Sequence, residues 1–187
     1  MASHTADDPN RRDFIVIAAQ AFAVVGAAAA LWPFIHQMNP DASTQALAST
    51  EVDLSPVKQG QAITVLWRGK PVFIRNRTPK EVEDANKVDV SELKDPLARN
   101  ANVAADAPAT DVDRSAGKGK ENWLVMIGVC THLGCVPLGE SGEFGGWFCP
   151  CHGSVYDTAG RIRQGPAPEN MAIPVSSFIS DTVIRVG

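Results

Sequence analysis

This chain has no excess of basic charge: 17 lysines and arginines stand against 21 aspartates and glutamates, for a formal net charge of -4. That removes the electrostatic footprint on which nucleic-acid binding rests. Cysteine is scarce, and none lies outside Cys130 to Cys151, so the four thiols are no framework running through the whole chain. No internal repeat is present, which excludes a stacked array of units. With 187 residues, 44% hydrophobic and 20% charged, the chain has room for one ordinary globular core and an appendage. Its information lies in where a few residue types gather, and two of its four histidines fall among the cysteines.

The single long apolar run, Phe14 to Ile35, carries no charge. At about 1.5 Å per residue it spans a hydrocarbon core of roughly 30 Å as a helix. Apolar residues occur all round it, without the polar stripe a soluble amphipathic helix needs. Trp32 suits a membrane interface, and Arg11 and Arg12 favour an N-terminus kept in the cytoplasm. A signal peptide cleaved near Ala27 to Ala30 is the alternative. The stretch Asn10-Arg11-Arg12-Asp13-Phe14-Ile15 resembles a twin-arginine export signal, which moves an already folded, cofactor-loaded protein. Four parts are therefore expected: a cytoplasmic tail over 1–13, a transmembrane anchor over 14–35, a tether over 36–50 and a head over 51–187. Met38 to Thr50 is small and polar, without strand alternation.

Within the head, Ala62 to Trp67 and Val72 to Arg75 flank Arg68-Gly69-Lys70-Pro71 and predict a hairpin. Thr78-Pro79-Lys80-Glu81 places a capping threonine, a first-turn proline and a glutamate three residues after the cap, predicting a short helix over Pro79 to Ala85. Lys94 to Asn122 has few large apolar residues and predicts a long surface insertion. Strand signals resume at Trp123 to Ile127, Trp147-Phe148, Ile173 to Val175 and Val183 to Val186. The expected class is mainly β: an N-terminal transmembrane helix and an all-β head with a small cluster-binding subdomain over about 128–170.

Two near-duplicate segments carry the chemistry: Cys130-Thr131-His132-Leu133-Gly134-Cys135 and Cys149-Pro150-Cys151-His152-Gly153-Ser154. Thiolate and neutral imidazole bind soft or borderline metals, and two of each form a sufficient four-ligand set. Six candidate ligands are present, so one four-ligand centre leaves two cysteines to pair with each other in an oxidising compartment. A zinc site would use the same residue types, yet zinc ribbons offer paired C-x2-C knuckles that these loops lack.

The pattern C-x-H, a gap, then C-x-x-H, with a further cysteine in each loop, resembles the Rieske proteins of quinol-oxidising cytochrome bc complexes. The likeness is strongest from Trp123 to Pro174 and includes Gly165-Pro166-Ala167-Pro168, which matches the family's proline loop. By that resemblance one 2Fe-2S cluster has Cys130 and Cys149 on one iron and His132 and His152 on the other, with a disulfide between Cys135 and Cys151. The resemblance further implies that Ser154 and Tyr156 donate hydrogen bonds to a cluster sulfide and a cysteine sulfur, raising the potential. It makes His152 or His132 the contact for ubiquinol, with Leu133 and the 165–168 loop on the docking surface. Gln45, Ala46, Leu47, Ala48 and Ser49 become a hinge on which the head swings between cytochrome b and cytochrome c1. The implied setting is a bacterial inner membrane, with the head on the periplasmic side, in a dimeric quinol-cytochrome c reductase active only as a complex. A plastoquinol-oxidising relative is the nearest alternative. A soluble Rieske ferredoxin or oxygenase component fits less well, because such proteins generally lack the Cys135 and Cys151 pair.

Overall fold

The computed structural model describes residues 11–39 and 48–187, and contacts divide the chain into two units, 1–45 and 46–187. Among the described residues the first holds one helix, α1 (Arg11–His36), 26 residues long with a mean hydropathy of 2.3 over its most apolar window. Its length is about 39 Å at 1.5 Å per residue, more than a hydrocarbon core requires. Of the expected hinge, Gln45, Ala46 and Leu47 lie outside the described residues, as does Asn10 of the export signal.

The second unit contains three antiparallel sheets. In chain order its strands are β1 (Thr50–Asp53), β2 (Ala62–Trp67), β3 (Lys70–Asn76), β4 (Trp123–Ile127), β5 (Leu138–Gly139), β6 (Gly145–Cys149), β7 (Ser154–Asp157), β8 (Ile162–Gln164), β9 (Ser176–Phe178) and β10 (Val183–Val186). They pair as β1-β10-β9, β2-β3-β4 and β5-β6-β7-β8. β3 and β4 read as continuous apolar runs because the middle sheet is covered on both faces, which strand alternation then splits between two cores. Val72, Ile74, Trp123 and Val125 point to one core, with Val52, Ile184 and Val186 from β1 and β10. Phe73, Leu124 and Met126 point to the other, with Trp147, Tyr156 and Ile162 from the third sheet. Phe73 stacks on Trp147 at 6.2 Å between ring centroids. The second core underlies the two cysteine loops.

The predicted hairpin forms in full register, from Ala62 opposite Arg75 to Trp67 opposite Lys70. The predicted short helix is α2 (Pro79–Asn86), and its capping box is closed: Glu81 N donates to Thr78 Oγ1 (3.3 Å) and Thr78 N to Glu81 Oε2 (2.7 Å). Two expectations need correction. The strand expected at Ile173 to Val175 reduces to one bridge, Ile173 with Asn100, and the strand proper is β9. The larger correction concerns Lys94 to Asn122, which is no surface insertion: Asp95, Ala98, Asn100, Ala109, Asp111, Arg114 and Ser115 are all buried.

The reason is polar pairing, which lets a segment poor in apolar residues enter a core when every charged group finds a partner. Asp111, the first residue of α3 (Asp111–Arg114), forms a two-pronged pair with Arg77 at 2.5 and 2.9 Å. Arg114 donates to the carbonyls of Ala159 (2.7 Å), Gly160 (3.2 Å), Met171 (2.8 Å) and Ala98. Burial pushes its guanidinium down to about 10, still well above neutrality, so it stays charged. Arg161, equally buried, donates to Asp157 Oδ2 (2.7 Å) and to the carbonyls of Ala109 and Ala85. The segment is thereby tied to β3, to α2 and to the turn between β7 and β8.

Candidate metal centre

β4 delivers the first cysteine loop. Gly128 is needed at its exit, since a Cβ there would stand 2.5 Å from the Phe73 ring. β6 ends on Cys149 and so delivers the second. Both loops close alike: Gly134 N donates to Cys130 O and Gly153 N to Cys149 O, each at 3.0 Å, and both glycines have positive φ (84° and 77°). The duplicated sequence pattern is a duplicated turn, allowed by glycine four residues after each cysteine. Cys135 and Cys151 are disulfide-bonded with Cα atoms 6.8 Å apart, so the loops are covalently joined.

Cys130 and Cys149 remain free and buried. Burial raises the Cys130 thiol, but the Tyr156 hydroxyl, the His132 amide, Cys149 and the Ser154 hydroxyl together bring it below the ordinary value. Burial and the neighbouring Cys130 raise Cys149, against the opposing amides of Cys151 and His152. Two adjacent thiolates repel, and a positive charge between them favours ionising both. The Tyr156 hydroxyl donates to Cys130 Sγ at 3.3 Å, and burial followed by that sulfur pushes its own ionisation well up. The tyrosine therefore stays a donor.

The rings of His132 and His152 meet edge to face with centroids 4.6 Å apart. His132 Nδ1 is buried without a hydrogen-bond partner among the described residues. Such an atom is costly unless something coordinates it. Four residues fit a metal group: two free thiols and two paired imidazoles, one of them with a buried Nδ1 that has no hydrogen-bond partner among the described residues. The sulfurs of Cys135, Cys149 and Cys151 also lie within 4.8 Å of one another. Two of them are spent in the disulfide, so Cys149 alone of that trio is free to ligate.

The third side is the 165–168 loop. It comes so close that a Cβ on Gly165 (φ +94°) would stand 2.6 Å from Gly153 O and from Ser154 Cα. Leu133 is 71% exposed, and Pro166 and Pro168 are also exposed. Ala167, grouped with the docking surface from sequence, is instead wholly buried, and its amide donates to Ser154 Oγ at 3.2 Å. It faces inward because the loop is pulled onto Ser154. Sequence reasoning missed Thr131, whose hydroxyl donates to Glu169 O (2.7 Å) and whose amide donates to the Tyr156 oxygen (3.3 Å). Its place between two predicted ligand positions, Cys130 and His132, was the available signal.

Residues 86–178 match the family model described as "Rieske [2Fe-2S] domain", and residues 1–41 match "Ubiquitinol-cytochrome C reductase Fe-S subunit TAT signal". Among curated proteins, the "Ubiquinol-cytochrome c reductase iron-sulfur subunit" of Bradyrhizobium diazoefficiens is 54% identical over 98% of this chain and 97% of its own length. That of Cereibacter sphaeroides is 56% identical over 95% of each. The chain belongs to this family of Rieske iron-sulfur subunits. A chain of a solved "Hyperthermophilic respiratory Complex III" is 26% identical, with a TM-score of 0.47, covering 90% of this chain and 98% of that one. As a Rieske iron-sulfur subunit the chain carries a 2Fe-2S cluster and works by electron transfer, and two of its cysteines, Cys130 and Cys149, lie outside the disulfide.

Proposed function

We propose that the protein is the electron carrier of a respiratory quinol-cytochrome c reductase, taking an electron from ubiquinol and passing it to cytochrome c1, with Cys130, Cys149, His132 and His152 as the cluster ligands. The observation that carries the assignment is the pair of free buried thiols beside the paired imidazoles, His132 Nδ1 buried without a partner among the described residues. When bound, the cluster supplies a one-electron acceptor whose neutral histidine ligands leave it less negative than an all-thiolate centre, as is general for Rieske centres. The chain's own residues supply the rest. With Nδ1 of His132 buried and unpartnered, its Nε2 is the atom left to accept a hydrogen bond from a quinol hydroxyl and hold its proton, and a free ring nitrogen of His152 would serve alike. Leu133, exposed beside His132, offers apolar contact, and Pro166 and Pro168 extend that surface. Trp147, Phe73 and Tyr156 close the inner side against water.

Catalysis on quinol then belongs to the assembly with cytochrome b and cytochrome c1 in a dimeric complex, not to this chain alone. Helix α1 serves as a single-pass anchor in the bacterial inner membrane, with the twin-arginine segment exporting the loaded head. The tether over 36–50 reaches the head at Ala48, whose carbonyl accepts from the Trp67 indole at 2.7 Å, and Thr50 already lies in β1.

Low-temperature electron paramagnetic resonance on membranes tests the reading. A Rieske-type signal developed by ascorbate is expected. A signal that needs dithionite would turn the reading to a low-potential ferredoxin, and stoichiometric zinc without a signal would end it. Ser154→Ala, with the cluster retained, is expected to remove one hydrogen bond that favours the more negative reduced state. At about 1.4 kcal/mol the reduced-to-oxidised ratio falls about tenfold at fixed ambient potential. An unchanged redox titration would refute the hydroxyl's role.

A further inference from the structure

The 165–168 loop is tied at both ends to residues 94–99, the start of the segment whose sequence suggested no task. At one end Lys94 Nζ donates to Gly165 O at 3.0 Å. At the other, Asp95 (3% exposed) accepts from the Asn170 amide at 2.9 Å. The Asn170 side chain, just as buried, donates to Asp95 O (2.9 Å) and Leu97 O (2.8 Å) and accepts from Ile162 N (2.9 Å). Arg99 closes the arrangement, with Nε on Asp95 Oδ2 (2.9 Å) and a terminal nitrogen on Glu169 Oε1 (3.2 Å). Its backbone is left-handed (φ +50°), a conformation unfavourable for a non-glycine residue. It is held there by its own carbonyl, which accepts from Ile173 N (2.9 Å), while its side chain grips two carboxylates.

On its inner side the same loop touches the cluster site through Ala167 N, which donates to Ser154 Oγ. A hydroxyl oxygen that accepts from a fixed N–H has its own hydrogen directed elsewhere. The Ala167 amide thus leaves the Ser154 hydrogen to point away from the loop.

We propose that Lys94, Asp95 and Arg99 are positioning residues: they staple the 165–168 loop against Ser154, aim the serine hydroxyl into the cluster site, and so set the reduction potential from outside the ligand loops. This rests on the ligand assignment above. The hydrogen bonds and ion pairs described for Lys94, Asp95 and Arg99 reach none of Cys130, His132, Cys149 and His152. The staple works through one backbone amide whose position fixes the direction of one hydrogen bond. Arg99 suits the task because its planar fork grips Asp95 while reaching Glu169, which a lysine's point charge cannot reproduce.

The test is a redox titration, followed by electron paramagnetic resonance, of the full chain in its membrane. Wild type is compared with Ser154→Ala, Arg99→Ala, Arg99→Lys and Arg99→Ala combined with Ser154→Ala. Hydrogen exchange at the Ala167 amide is measured on the purified full-length protein. Arg99→Ala is expected to lower the reduced-to-oxidised ratio at fixed ambient potential by about threefold and to speed exchange at Ala167. Arg99→Lys keeps the charge and is expected to retain most of that loss. In the Ser154→Ala background, Arg99→Ala is expected to add nothing, because no hydroxyl is left to aim. An additive double mutant, or full restoration by lysine, would mean that Arg99 acts through its charge, and the staple would be wrong. A shift in Ser154→Ala but none in Arg99→Ala would also overturn the staple, leaving the hydroxyl assignment in place. If Ser154→Ala itself does not shift, the reading beneath the staple fails, and the staple with it.

Discussion

Asp111→Ala is expected to destabilise the head by about 3–5 kcal/mol, the usual consequence of leaving one member of a buried ion pair alone. Arg77 and Asp111 side chains are both wholly inaccessible, and the carboxylate takes both terminal nitrogens of the guanidinium. The remaining donors of Arg77 have little to turn to: Glu121 O (2.5 Å) is already engaged, Thr158 O is at 3.5 Å, and Nε has no partner among the described residues. Against a total of about 5–15 kcal/mol for a typical domain, such a loss is large. It corresponds to a thermal midpoint lower by about 10–20 °C, read by circular dichroism on the purified protein. Replacing the pair together, Arg77→Met with Asp111→Leu, is expected to cost far less, since neither charge is then stranded. A fall below about 1 kcal/mol in Asp111→Ala would show that water reaches Arg77 and that the 94–122 segment is not locked in as described.

The same pair explains what the sequence concealed. The cysteine loops were legible because their chemistry is local: ligand, spacer and glycine lie within six residues of one another, and the turn they demand follows from that spacing. β2, β3, β4 and α2 were legible for a similar reason, through alternation, apolar runs and a capping box. The 94–122 segment was misread because Asp111, Arg114, Asp95 and Asn100 are polar residues whose burial depends on partners as distant in sequence as Arg77, Met171, Asn170 and Ile173. Composition registers only their polarity. β1 was hidden likewise, since Thr-Glu-Val-Asp becomes a strand by pairing with β10 at the other end of the head. At the site, Ser154 and Tyr156 were identified through their motif, yet that they stand on a strand, β7, and that Ala167 faces inward followed only from the loop's approach to Gly153. Long-range contact decided each case that local pattern did not.

Removing the disulfide with Cys135→Ala and Cys151→Ala is expected to empty the site of iron without unfolding the sheets beneath it. The bond closes a span of 16 residues, for which loop-closure entropy gives about 3 kcal/mol. Its position makes that energy local. Cys151 lies two residues after Cys149 and one before His152, while Cys135 lies three after His132, so each half of the proposed ligand set hangs on one side of the bond. The Cys130 N to Cys135 O (2.7 Å), Gly134 N to Cys130 O and Gly153 N to Cys149 O (3.0 Å each) hydrogen bonds then remain within the loops, none of them crossing from one loop to the other, and the Tyr156 hydroxyl still ties the first loop to β7. A penalty of about 3 kcal/mol shifts the balance between closed and parted loops more than a hundredfold. Iron content and signal amplitude, followed during aerobic incubation of the purified full-length protein, are therefore expected to decay in the double mutant while wild type holds. Far-ultraviolet circular dichroism should stay unchanged, because Phe73, Trp147, Leu124, Met126, Tyr156 and Ile162 form most of the core below the loops and Cys135 only packs against it, partly buried. A double mutant that keeps its iron as long as wild type would mean that the 165–168 loop and the buried thiols hold the loops together unaided.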